Sequence, residues 1–182
     1  MRKLFVYMSS GLLISSLVSV SLPSGASVGS KVSTHKFSNA IAAADQSALI
    51  KTNRELLLKN RMMARKIATK LGITSTGEVP TSGEPLAQNE VLILQNQETF
   101  KEIATKVGAK VPTLAAVTAA NQAEKNHKLL LQNRSIVVAI LKKLSIPPAA
   151  PAALKGTFVD KNYTLLVGNG KALAKIAAKL GA

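Results

Sequence analysis

The stretch NRELLLKNRMMARKIATKLGI, residues 53–73, sets out a pattern that the chain uses four times. The other copies are NEVLILQNQETFKEIATKVGA (89–109), NHKLLLQNRSIVVAILKKLSI (126–146) and NYTLLVGNGKALAKIAAKLGA (162–182). Successive copies start 36, 37 and 36 residues apart, a spacing that is typical of repeat architectures. The sequence therefore predicts one structural unit that is built four times.

Apolar residues in the first copy fall on one side of a helix with 3.6 residues per turn. Leu57, Ala64 and Ile67 lie on this stripe, whereas Lys66 and Lys70 lie outside it. We therefore predict an all-α fold, in which amphipathic helices in four repeats of about 36 residues form a helical bundle or a coiled-coil-like assembly. Pro/Gly-rich linkers of about 15 residues are long enough for parallel or antiparallel packing, so the sequence leaves the helix direction open.

Two asparagines, seven residues apart, interrupt the apolar stripe in every copy, and an isoleucine follows after seven more. A buried Asn at a heptad position costs stability, but its amide can pair across a helix seam and specify register and partner number. We predict seams for self-pairing or intramolecular pairing, with a helix N-cap as the alternative role of each first Asn. The predicted seam residues are Asn53, Asn60, Ile67, Asn89, Asn96, Ile103, Asn126, Asn133, Ile140, Asn162, Asn169 and Ile176.

The chain divides into three parts by composition. Residues 1–26 resemble a signal peptide, with Arg2 and Lys3 before an apolar run at 4–20 and small residues near Ala26; cleavage and retention as an anchor both stay open. Residues 27–37 are predicted to be flexible, and 38–182 form the helical repeat region. The first helix is expected to start near Ser38 and can continue to Leu71, and a short helix is expected within 111–125.

Positive charge is the second strong feature of the chain. The 24 basic and 9 acidic residues give a net charge of +15, which predicts attraction to anionic polymers or surfaces. Lys70, Lys106, Lys143 and Lys179 fall in the last helical turn, where cations complement the helix dipole, and Gly72, Gly108 and Gly181 follow as C-caps. In the third copy Ser145 replaces the Gly, and prolines are expected to stop that helix instead. The predicted contacts to an anionic partner are Arg61, Arg65, Lys66, Lys70, Lys106, Lys142, Lys143, Lys175 and Lys179.

Residues with catalytic or metal-binding chemistry are sparse. The chain has no cysteine, and its two histidines, His35 and His127, have no metal-ligand spacing to each other or to an acid. The motif Gly168-Asn169-Gly170-Lys171 lacks the spacing of a phosphate-binding loop. We therefore predict no enzymatic activity, no cofactor and no metal.

The segment ETFKEIATKVGAKVPTL, residues 98–114, resembles the central part of a LysM module, a small βααβ domain that binds glycans such as peptidoglycan. The match is carried by Glu98, Thr99, Phe100, Ile103, Ala104, Gly108, Val111 and Leu114, and residues 163–181 are partly similar. The resemblance implies a glycan groove near Glu98, Thr99 and the loop after Val111. The opening strand of the family and its closing G-x-x-L-x-[IV]-P pattern are absent from this sequence.

These observations predict an exported structural or interaction protein of the cell envelope or surface. It is expected to associate with itself as a homo-oligomer, or with other envelope proteins, through the Asn-containing seams. An anionic cell-wall polymer or membrane surface is its expected partner, because export argues against nucleic acid. The alternatives are a LysM-like glycan-binding protein and a basic membrane-active helical protein.

Overall fold

A computed structural model describes residues 33–150 and 152–182, with side chains from residue 43 onward. These ranges form four helices: α1 (Ser33–Lys70), α2 (Pro85–Lys106), α3 (Gln122–Lys143) and α4 (Phe158–Leu180). The predicted all-α fold is confirmed, and the described ranges contain no strand. The first helix is unbroken over 38 residues and begins within the segment 27–37 that was expected to be flexible. The predicted signal peptide lies outside the described residues.

Hydrogen bonds between the helices show that all four run in the same direction. The amide nitrogens of Asn89 and Asn96 in α2 donate to the carbonyl oxygens of Ile50 and Leu57 in α1, each at 3.3 Å. Because donors and acceptors both advance by seven residues, α1 and α2 are parallel. The same step joins α3 to α2 (Asn126 to Leu86, Asn133 to Ile93) and α1 to α4 (Asn53 to Val159, Asn60 to Leu166).

The helices form a closed square in the order α1–α2–α3–α4. Each helix packs against its two neighbours, and α1 closes the ring by packing against α4. Within the described residues, no Cα atoms of diagonally opposite helices lie within 8 Å of each other. The repeat in the sequence thus becomes a pseudo-fourfold arrangement around the bundle axis.

Parallel packing requires each crossover to return along the whole bundle. A helix of 22 residues is about 33 Å long, whereas an extended chain of 14 residues reaches at most about 50 Å. Residues 109–119 accordingly contain no helix, so the prediction of a short helix there was wrong. A helical segment would be too short to span the return, and the side chains of Lys128 and Gln132 bond the extended backbone at Thr118 and Ala115.

The interior consists of layers that each take one residue from every helix. Two layers are asparagine rings: the first Asn ring (Asn53, Asn89, Asn126, Asn162) and the second Asn ring (Asn60, Asn96, Asn133, Asn169). The Ile ring (Ile67, Ile103, Ile140, Ile176) is fully buried. Between the second Asn ring and the Ile ring lies a mixed layer of Ala64, Phe100, Val137 and Leu173, whose different sizes fill the same cross-section.

All four helices end in the same way. Gly72, Gly108 and Gly181 adopt left-handed φ angles of 71°, 72° and 66°, as expected for C-caps. Ser145 occupies the equivalent position with φ of 57°, and the N–H of Ile146 bonds the carbonyl of Leu141 as in the other three ends. The expectation that prolines stop α3 was therefore wrong, because the helix already closes at Ser145.

Candidate anion-binding end of the bundle

The predicted seam residues all lie inside a single chain. All twelve are at most 5% exposed, and the eight asparagines lie within helices, not at their starts. The caps of α3 and α4 are Asn121 and Thr157 instead, so the N-cap alternative was wrong. The seams join helices of the same molecule, which is the intramolecular form of the predicted pairing.

Each seam bond follows one rule. An Asn amide nitrogen donates to the carbonyl three residues before the equivalent Asn of the neighbouring helix, as Asn133 does to Ile93 at 3.0 Å and Asn162 to Ala123 at 3.3 Å. Five of the amide oxygens are buried without a donor among the described residues: those of Asn53, Asn89, Asn96, Asn133 and Asn169. A buried unpaired acceptor costs about 1–3 kcal/mol, so the rings contribute specificity of pairing at the expense of stability.

Parallel packing brings the basic ends of all four helices to one end of the molecule. We call the part beyond the second Asn ring, residues 61–77, 97–114, 134–149 and 170–182, the C-terminal half of the bundle. It contains thirteen lysines and arginines and two glutamates, for a net charge of +11. The remainder from residue 43 onward is the N-terminal half, with seven basic and seven acidic residues and no net charge. The C-terminal half therefore carries +11 of the net charge of +15.

The predicted anion contacts all belong to the C-terminal half, but one of them is not available to a partner. Arg61 is only 4% exposed, and its guanidinium donates to the side chain of Gln95 and to the carbonyl of Gly77. Burial and the neighbouring charge of Arg65 lower the pKa of Arg61. Its assignment as an anion contact was wrong, because it holds the first crossover against the bundle.

The other predicted contacts keep their side chains on the surface. Arg65 is half-buried and donates to the carbonyl of Gly77, whereas the seven lysines are exposed. The sequence reasoning did not select two further exposed lysines of this half, Lys110 and Lys171. Both could have been found only with the helix direction known, because their distance from the other lysines depends on it. The exposed lysines of the C-terminal half are Lys66, Lys70, Lys106, Lys110, Lys142, Lys143, Lys171, Lys175 and Lys179.

Three carboxylates of the N-terminal half are engaged in local bonds. Glu90 pairs with Lys125 at 2.7 Å, and Glu124 pairs with Lys128 at 2.7 Å. Hydrogen bonds from Lys128 and from the backbone N–H of Ala120 lower the pKa of Glu124. A third carboxylate of this half, Asp160, forms a capping box with Thr157, and hydrogen bonds from Thr157 lower the pKa of Asp160. Three of the seven acidic residues that balance the charge of this half are therefore engaged in pairs or a cap.

His127 belongs to the core of the N-terminal half. It is 8% exposed, its Nδ1 lies 3.1 Å from Oδ1 of Asn162, and its ring contacts Phe158 with centroids 5.5 Å apart. Burial lowers the pKa of His127, and the hydrogen bond to Asn162 opposes this shift. Its surroundings are those of a packing residue.

Within residues 33–150 and 152–182, no group of three or more His, Cys, Asp or Glu side chains is arranged to hold a metal ion. Within the same ranges, no helix combines the length and apolar character needed to cross a membrane.

Residues 98–114, which carry the LysM resemblance, form the second half of α2 and the start of the second crossover. Thr99 and Phe100 are buried there, whereas Glu98 is exposed. No family model, curated protein or solved structure matches this chain. The LysM resemblance therefore stays a prediction, and function is inferred from the geometry and charge of the bundle.

Proposed function

We propose that this chain is an exported, non-enzymatic binding protein of the cell envelope, which attaches to an anionic polymer through the C-terminal half of its bundle. The observation that carries the proposal is the separation of charge between the two halves. A net charge of +11 on one end produces a directional field, whereas the same residues in an antiparallel bundle would be divided between both ends.

Helix termini alone do not account for this number of cations. Each helix C-terminus carries a partial charge of roughly −0.5, so four termini together amount to about −2. The thirteen basic residues and two glutamates of the C-terminal half leave a large excess over that value. Nine exposed lysines are therefore free to form contacts with phosphate or carboxylate groups of a partner.

The surface of the C-terminal half is better suited to binding an anionic polymer than to inserting into a lipid bilayer. A protein that inserts into the interface needs apolar side chains beside its cations. Among the exposed large apolar residues of the described chain, only Met62 belongs to the C-terminal half; Val79, Val91, Leu94, Leu131 and Tyr163 belong to the other half. The basic end thus offers charge with little apolar surface, which favours a flexible anionic chain.

The test compares two triple variants of equal charge. One replaces Lys70, Lys106 and Lys179 by Gln in the C-terminal half. The matched control replaces Lys51, Lys59 and Lys155 by Gln in the N-terminal half; all six lysines are exposed. Binding of each chain to linear polyphosphate is measured by calorimetry at several salt concentrations, and liposomes of phosphatidylglycerol are the second probe.

We expect the C-terminal triple to bind polyphosphate at least about tenfold more weakly, equal to about 1.4 kcal/mol, with a shallower salt dependence. The control triple should bind within about threefold of the parent chain. Equal losses in both variants would show that total charge, not its placement, governs binding. Binding to the liposomes alone would overturn the polymer in favour of a membrane surface.

The seam residues are not accessible to a second copy of the folded chain. Those residues are buried between helices of one molecule, so a second copy would reach them only if the bundle opened. The binding surface is accordingly formed by the exposed lysines, and the seams belong to the scaffold that orients them.

A further inference from the structure

The three crossovers return along three grooves of the bundle, and the first two are tied down by equivalent glutamines. Nε2 of Gln95 donates to the carbonyl of Glu78 at 3.0 Å, and Nε2 of Gln132 donates to the carbonyl of Ala115 at 2.6 Å. In both cases the bond connects residues that are 17 positions apart. These side chains hold the returning chain against the helices.

The third groove lacks this tie. Gly168 occupies the position of Gln95 and Gln132, directly before the second Asn of its repeat. Arg61 and Gln97 donate to the glutamine side chains of the first two grooves, but the equivalent Arg134 donates to the backbone oxygen of Gly168 at 3.3 Å. The missing side chain leaves a cavity of about 380 Å³ between α3, α4 and the third crossover.

The cavity is apolar along its length and basic at one end. Its deep wall contains the buried residues Leu141, Leu165 and Ala172, and Leu131 and Leu154 lie nearer its mouth. From Tyr163 to Lys175 the α4 wall spans twelve residues, or about 18 Å. An extended hydrocarbon chain advances about 1.25 Å per carbon, so a chain of about a dozen carbons, about 14 Å long, fits within this length.

All of the charged side chains that line the cavity are cations. They are Arg134, Lys171 and Lys175, and none of them forms an ion pair within the described residues. Lys171 and Lys175 are four residues apart on one face of α4, and both belong to the C-terminal half. Tyr163 and Leu154 lie at the opposite end of the cavity, in the N-terminal half. Apolar walls that lead to unpaired cations match a ligand with a hydrocarbon tail and an anionic head.

We propose that this groove, defined by Gly168, binds a free single-chain anionic amphiphile of the fatty-acid class. The tail lies along Leu131, Leu154 and Val167, and the carboxylate contacts Lys171 and Lys175. The site shares Lys171 and Lys175 with the exposed lysines of the C-terminal half. Its apolar walls lie between α3, α4 and the third crossover, and the lysines of the last helical turns do not line the cavity.

The decisive variant, Gly168→Gln, introduces the glutamine that the other two grooves contain at positions 95 and 132. In Gly168→Gln the new side chain can accept from Arg134 and donate to the third crossover, as the equivalent glutamines do, and thereby fill the cavity. A Cβ at Gly168 meets no atom within 4 Å, and replacing a helical Gly favours the helix, so the variant is expected to fold. Gly168→Ala is the matched control, because it changes helix propensity in the same direction but does not reach the crossover.

Binding of dodecanoate below its micellar concentration is measured by calorimetry, with dodecyltrimethylammonium as the cationic counterpart. We expect saturable one-to-one binding of dodecanoate to the parent chain and to Gly168→Ala, and at least about tenfold weaker binding to Gly168→Gln, equal to about 1.4 kcal/mol. The double variant Lys171→Gln, Lys175→Gln should reduce the preference for dodecanoate over the cationic amphiphile. Polyphosphate binding by Gly168→Gln should remain unchanged, which separates this site from the proposed function.

Three results would overturn the proposal. The first is the absence of saturable dodecanoate binding to the parent chain. The second is equal binding by Gly168→Gln and Gly168→Ala, which would place the ligand elsewhere. The third is equal binding of the cationic amphiphile, which would remove the role of the lysines.

Discussion

The two halves of the bundle share one backbone design but differ in both interior and surface. The N-terminal half has two rings of asparagine in its interior, and its surface charges balance. The C-terminal half has a fully buried Ile ring and carries a net charge of +11. In the N-terminal half the asparagine rings alternate with buried leucines, whereas the interior of the C-terminal half is built mainly from apolar side chains beneath a highly charged surface. Polar pairing between the helices and a high density of surface charge therefore occupy separate lengths of the same helices.

The largest effect should come from the apolar interior of the C-terminal half. Ile140→Ala removes a fully buried side chain of the Ile ring and leaves a cavity, so we expect a loss of about 2–5 kcal/mol in the free energy of unfolding. Urea denaturation followed by circular dichroism measures this loss. Val91→Ala, at an exposed position, serves as the control and should change the value by less than about 0.5 kcal/mol. A loss below about 1 kcal/mol for Ile140→Ala would contradict a close-packed Ile ring.

A substitution in the asparagine rings should have the opposite effect on the free energy of unfolding. Asn133→Leu removes a buried amide oxygen that has no donor, while the carbonyl of Ile93 keeps its position within α2. We expect the free energy of unfolding to stay equal or rise by about 1–2 kcal/mol, because an unpaired buried polar group is removed.

Asn126→Leu provides the matched comparison for this prediction. The Oδ1 atom of Asn126 accepts a bond from Gln122 at 3.1 Å, so its removal also leaves a donor unpaired. The free energy of unfolding of Asn126→Leu should therefore be about 1 kcal/mol lower than that of Asn133→Leu. Equal destabilisation by both changes, measured in urea, would show that the rings stabilise the fold.

A smaller stabilisation is expected at the end of α3. Ser145 holds a left-handed φ of 57°, which costs a residue with a side chain roughly 1 kcal/mol or more. Ser145→Gly should therefore raise the free energy of unfolding by about 0.5–1 kcal/mol, after allowance for the greater freedom of Gly in the unfolded chain. The reverse change, Gly108→Ser at φ of 72°, should lower it by a similar amount. Thermal unfolding of the pair tests both signs, and two shifts of the same sign would contradict the strain argument.

The smallest expected effect is a pH dependence that belongs to the N-terminal half. Burial lowers the pKa of His127, so the unfolded chain binds its proton more readily than the folded one. Stability should therefore fall as the pH is lowered below about 6.5, the ordinary pKa of His. His127→Gln should remove this part of the pH dependence, while the loss below about pH 4.5 from Glu90, Glu124 and Asp160, whose pKa values are lowered, should remain. Identical urea midpoint profiles from pH 7.5 to 5 for both proteins would refute the assignment to His127.

The periodicity of the repeats was enough to predict the helices and their buried faces. Leucine, asparagine and isoleucine at fixed steps define one face of a 3.6-residue helix, and the structure buries that face in every copy. The direction of packing could not be predicted, because linkers of about 15 residues permit both arrangements. The gathering of lysines at one end depends on that direction and was therefore also beyond the sequence.

Residues that contact the crossovers were the least predictable. Arg61 lies outside the apolar stripe on a helical wheel, yet it is buried because the returning chain covers it. The residue before the second Asn was a usable signal, since it is glutamine at positions 95 and 132 but Lys59 in the first copy and Gly168 in the last. Its meaning becomes clear only when the path of the crossovers is known.

Parallel packing also determines how the bundle would respond to force. The described chain begins in α1 at one end of the bundle and finishes in α4 at the other, and these two helices lie side by side. A pull on the two ends would slide α1 along α4, so the bonds from Asn53 and Asn60 to α4 would be loaded together. A bundle loaded in shear resists extension more than one whose contacts open one at a time.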